Sequence, residues 1–85
     1  MNDLIKRNYN SIVKRGLINE DTTIAEFITK LKEEVQEWIE AEVQGLPNAN
    51  EELADIILVC LNFAKHFNID IEKELNNKIE INEKR

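Results

Sequence analysis

LADIILVCLNFAKHF, running from Leu53 to Phe67, is the stretch that decides the fold. Leu53, Ala54, Ile56, Ile57, Leu58, Val59, Cys60, Leu61, Phe63, Ala64 and Phe67 spread over nearly the whole circumference of a helix. The run lacks the period-two alternation of a strand and contains neither Gly nor Pro. A helix that is apolar all round is buried on all sides. The rest of an 85-residue chain supplies at most three further helices, too few to enclose it. With apolar surface worth about 25 cal/mol per Å², a bare face forfeits on the order of several kcal/mol. A second copy of the chain is the simplest cover, so a homo-oligomer, dimer or tetramer, is expected.

Moving outward, the helix is expected to start near Asn50 and to end near Asn68, a residue suited to a left-handed C-terminal position. Upstream, Gly45-Leu46-Pro47-Asn48 marks a break. Before it, Thr23 followed by Glu26 forms a capping box that opens a long helix reaching about Val43. The apolar stripe of that helix is Ile24, Phe27, Ile28, Leu31, Val35, Trp38 and Ile39. Gly16 closes a first helix over about Asp3 to Arg15. Downstream, Asp70 caps a fourth helix that turns Ile71, Leu75 and Ile79 inward. The prediction is all-α: a single domain over residues 1–85, a four-helix bundle completed by oligomerisation.

Composition narrows the class. Cys60 is the only cysteine, so no disulfide forms within one chain, and its apolar neighbours suggest a small buried hydrophobe. No signal-peptide pattern and no membrane-length apolar run is read, which points to a soluble cytoplasmic protein. The net charge of −6 is uneven: residues 1–15 carry +3, residues 16–77 carry −10 and residues 78–85 carry +1. An acidic centre disfavours duplex nucleic acid and favours cations or a metal-bridged anion.

The acids are patterned. Glu33-Glu34-x-x-Glu37 lies on the second predicted helix, and fourteen residues intervene before Glu52-x-x-Asp55 opens the third. Side chains at i and i+3 are helix-surface neighbours, with Cβ atoms about 5–6 Å apart. Glu34 with Glu37 and Glu52 with Asp55 therefore form two pairs, and an antiparallel hairpin through Gly45–Asn48 makes all four converge. Asp55, followed by Ile56 and Ile57, has little access to water. Converging carboxylates repel, and burying them unpaired is costly. A hard divalent cation resolves the conflict, and an oxygen-only set without His or Cys suits Mg²⁺, or Mn²⁺, rather than zinc. A single E-x-x-E is usually a solvated face, and Glu20, Glu26, Glu40 and Glu42 fit that description; the second pair sets this case apart.

In order and spacing, KLKEEVQEW (Lys30–Trp38), EELADIIL (Glu51–Leu58) and a closing Lys78-x-x-x-Asn82-x-x-Arg85 resemble the MazG-like all-α nucleoside triphosphate pyrophosphatases. That superfamily includes the dimeric dUTPases and the phosphoribosyl-ATP pyrophosphatases. The likeness spans about Thr23 to Arg85. It implies a Mg²⁺-dependent enzyme that cleaves an NTP or dNTP, or a related nucleotide, to monophosphate and pyrophosphate. By resemblance, Glu34, Glu37, Glu52 and Asp55 are metal ligands, and Glu33 orients water or completes the metal shell. Glu33 and Glu37 are the candidates for proton acceptor. Lys78, Asn82 and Arg85, at i, i+4 and i+7, make one polar stripe able to bind phosphate, and equally an ordinary solvated helix end.

Other residues read more plainly. Trp38 suits core or interface, His66 has no partner motif, and Asn62 is a polar residue on an apolar helix with a base or a neighbouring chain to bond. Arg7, Lys14 and Arg15 are further cations that could reach a neighbouring subunit. A ferritin-like di-iron bundle is discarded because it needs Glu-x-x-His. The alternative is non-catalytic: a helical dimerisation or nucleotide-binding module of the same fold.

Overall fold

The computed structural model describes residues 2–85, and the chain folds into α1 (Asn2–Lys14), α2 (Ile24–Gln44), α3 (Ala49–His66) and α4 (Ile71–Glu83). No strand occurs among the described residues. The helix boundaries follow local chemistry. Thr23 and Glu26 form the predicted reciprocal box: Glu26 N–H donates to Thr23 Oγ1 at 3.2 Å, and Thr23 N–H donates to Glu26 Oε2 at 3.0 Å. Gly45 ends α2 at φ +65°, a left-handed conformation that costs a side-chain-bearing residue about 1–2 kcal/mol. Asn68 takes the left-handed position after α3 at φ +56°. Asp70 caps α4 by accepting from Lys73 N–H at 3.1 Å.

α2 and α3 form the main helical pair, and α1 packs on α3 beside it. Leu61 and Ala64 of α3, Phe27 and Ala41 of α2, Ile5 of α1 and Ile18 of the α1–α2 connection are buried. Phe27 meets Phe63 edge-on at 5.5 Å between ring centroids, and Phe63 meets Phe67 at 4.7 Å. Such aromatic pairs contribute about 0.5–1.5 kcal/mol beyond the area they bury.

As expected, α3 is not enclosed within one chain: Leu53 is 42% exposed and Ile57 is 53% exposed. Two expectations change. Cys60, expected to be a small buried hydrophobe, is exposed. The cause is that α1 and α2 cover only part of the α3 surface. α4 carries no buried residue. Leu75 and Ile79, predicted to face inward, are exposed, and Ile71 is half-buried. Among the described residues, no helix is long and apolar enough to cross a membrane.

Candidate metal centre and adjoining groove

The hairpin turn at Gly45–Asn48 reverses the chain, so that the middle of α2 lies beside the start of α3. Glu34, Glu37 and Glu52 thereby gather: each offers one carboxylate oxygen, all within 4.8 Å of one another. Glu34 is 6% exposed. One of its oxygens, Oε1, accepts from Lys30 Nζ at 2.9 Å across one helical turn. The other, Oε2, is buried and has no hydrogen-bond partner among the described residues, and Oε2 of Glu52 shares that condition. Glu52 Oε1 accepts from Asn48 Nδ2 at 3.1 Å. An unsatisfied buried polar atom costs about 1–3 kcal/mol, and more when charged. Two of them in one acidic cluster make a group that could hold a cation.

The electrostatics agree. The negative charge of Glu34 beside it, then burial and the charge of Glu52, hold the Glu37 carboxyl above the ordinary glutamate value. Burial, followed by the charge of Glu34, does the same for Asp55. Lys30 is pushed the opposite way in chemical sense: its hydrogen bond to Glu34 stabilises the ammonium and raises its pKa.

Asp55 stands apart from the other predicted ligands. It is not one of the three clustered acids, and it is exposed rather than cut off from water. It lines a groove together with Glu33 and Glu34. That groove, about 730 Å³, runs between α1, the α1–α2 connection, α2 and α3. Such a volume suits a small-molecule ligand. Glu34 therefore belongs to both places, since it is a member of the acid cluster and a wall of the groove. Arg15 and Lys30 are the cations that line it, and Phe27 contributes an aromatic surface. Lys78, Asn82 and Arg85 are exposed, on α4 and just past it, and none of them lines the groove.

Sequence reasoning missed two sets of polar partners, and of these residues Asn8, Asn62 and Thr22 line the groove. Asn62 is 2% exposed, and its Oδ1 accepts from Asn8 Nδ2 at 2.8 Å. His66 has partners after all: Tyr9 O–H lies 2.8 Å from Nδ1, and the Thr22 carbonyl lies 3.1 Å from Nε2. A carbonyl only accepts, so Nε2 carries the proton, and in the neutral ring Nδ1 accepts from Tyr9. A buried Asn on an apolar helix was a visible signal, but its partner lies 54 residues away, with no local mark. Trp38 is half-buried. Compared with protein-family models, with curated proteins and with solved structures, the chain matches none.

Proposed function

We propose that this chain is a Mg²⁺-dependent nucleoside triphosphate pyrophosphohydrolase of the MazG-like kind, releasing pyrophosphate from an NTP, a dNTP or a related nucleotide. The observation that carries this reading is buried Glu34, with one oxygen unpartnered, clustered with Glu37 and Glu52 and facing a groove of about 730 Å³. The donor set is oxygen-only, and its two orphaned oxygens are acceptors in want of positive charge, so the residues fit Mg²⁺ or Mn²⁺. Glu34, Glu37 and Glu52 would hold the ion, with Asp55 the nearby fourth acid. When bound, the ion would supply charge neutralisation for a polyphosphate.

The chain's own residues then divide the work. In the hydrolysis a water oxygen forms a bond to the α-phosphorus, the bridging bond to the β-phosphate breaks, and the water's proton must leave. Glu33 lines the groove as an exposed carboxylate and is the proton acceptor in this scheme. Phe27 and the Asn8–Asn62 pair line the groove, with Phe27 and Asn62 buried. Incubating the protein with a panel of canonical and modified NTPs plus Mg²⁺ should release pyrophosphate from at least one. Mn²⁺ binding with no release from any nucleotide favours the non-catalytic nucleotide-binding module instead.

The same proposal includes a homo-oligomer. Leu53 and Ile57 on α3, Ile28 and Ile39 on α2, and Leu75 and Ile79 on α4 leave large apolar side chains exposed in a single copy. Sedimentation should give at least twice the 9.9 kDa of one chain. A stable monomer at micromolar concentration would remove this part of the reading.

A further inference from the structure

We propose that Lys30 is a bridging residue, which ties the metal centre to the anionic end of the ligand and so makes the two bind together. The inference rests on the metal-centre reading above and deepens it by assigning a residue that neither the acid motif nor the α4 stripe contains.

Lys30 occupies a particular place. Its Nζ is 2.9 Å from Glu34 Oε1, while the other oxygen of the same carboxylate has no partner. Glu34 thus has one oxygen assigned to an internal cation and one left for an external one. The Lys30 side chain is 56% exposed against 8% for that of Glu34. It stands on the groove wall, as does Arg15 at the start of the α1–α2 connection. An ammonium has three donors, and the contact with Glu34 uses one. The remaining two are free to meet the oxygens of a polyphosphate entering the groove beside Glu33 and Asp55.

The opposing charges set the signs. Alone, a divalent cation at Glu34 is repelled by the ammonium next to it, so Lys30 weakens binding of the free ion. With a polyphosphate in the groove, the ammonium and the metal both face negative oxygens, and Lys30 strengthens binding through charge-assisted hydrogen bonds. A helix-stabilising i,i+4 ion pair with no other duty affects neither in this crossed way.

The test uses Lys30→Met, with Lys30→Arg as the charge-conserving variant and Lys32→Met as the control. Lys32 is exposed on the same helix and does not line the groove. Free Mn²⁺ is titrated by electron paramagnetic resonance, and inorganic triphosphate, as its Mg²⁺ complex, by calorimetry. Lys30→Met should bind Mn²⁺ alone about threefold more tightly and Mg²⁺–triphosphate about tenfold more weakly, as expected for losing one partly screened charge. Lys30→Arg should restore both values towards the parent's, and Lys32→Met should move neither. If Lys30→Met weakens both ligands, or leaves both unchanged, in a parent that binds Mn²⁺, the bridging role is overturned and the metal centre stands. A parent that binds no Mn²⁺ and releases no pyrophosphate overturns both.

Discussion

The two ends of α3 treat polar side chains in opposite ways. Near its C-terminus, His66 uses both ring nitrogens, one on Tyr9 and one on Thr22, and packs against Phe27 and Phe67 at centroid distances of 5.2 and 4.8 Å. Four residues earlier, Asn62 is matched by Asn8. Near its N-terminus, Glu52 joins Glu34, and each keeps a buried oxygen with no partner among the described residues. A satisfied network stabilises the fold and specifies its packing. An unsatisfied one is a standing cost. One helix therefore has a satisfied end and an unsatisfied end, and on the proposed function substitutions at the two ends should have opposite signatures.

The largest difference is expected at the acidic end. On the proposed function, Glu37→Gln should lower pyrophosphate release on the order of 100-fold or more, because a proposed ligand and a charge are lost together. The metal-free melting temperature should stay the same or rise, since an amide relieves the crowding around Glu34. Mg²⁺ should then raise that temperature less than it does in the parent. A fall in metal-free stability with unchanged turnover would make the acids ordinary surface charge.

At the other end the pattern inverts. His66→Ala removes two hydrogen bonds and an aromatic neighbour, and should cost about 2–3 kcal/mol in chemical denaturation. Tyr9→Phe, losing one of those bonds, should cost about 1 kcal/mol. Neither should alter Mn²⁺ affinity. A change in affinity would mean that the two ends are coupled through the helix.

A smaller effect sharpens the comparison through pH. Glu37 and Asp55 have folded-state pKa values above the ordinary 4.5 and 3.8. A raised value favours the folded protein fully below the unfolded pKa, and that contribution is lost as pH rises through the folded one. Without metal, the parent should therefore gain stability relative to Glu37→Gln as pH falls from neutral towards 4.5. With saturating Mg²⁺ the trend should reverse, because the ion binds the deprotonated acids. Melting curves with EDTA and with Mg²⁺ at each pH test both slopes. The smallest effect belongs to α4. Lys78→Ala and Arg85→Ala should change stability by less than about 0.5 kcal/mol, since both are exposed. If nucleotide binding nonetheless weakens, α4 of a neighbouring copy supplies the phosphate contact.

Local signals were legible wherever the chemistry is local. The capping box at Thr23 and Glu26, the left-handed Gly16, Gly45 and Asn68, and the cap at Asp70 all depend on residues a few positions apart, and all appear in the structure. The gathering of Glu34, Glu37 and Glu52 followed from helix periodicity and one hairpin. Asp55 did not follow: its place one turn beyond Glu52 leaves it on the groove side, and periodicity alone does not say which of two neighbouring faces a side chain takes. Burial was the weakest reading. Cys60, Leu75 and Ile79 are apolar by type, yet exposure is decided by which helices arrive to cover them.

α4 carries a consequence of its own. A 13-residue helix with no buried residue sits near the length at which isolated helices are marginal in water. Its capping bond at Asp70 helps nucleation but adds no tertiary hold. In a single copy its backbone amides should exchange with deuterium through local fraying, long before those around Leu61 and Ala64, which open only with the core. The ratio of those two exchange rates is thus a gauge of company: α4 amides that slow down as protein concentration is raised belong to a helix that has docked on another chain.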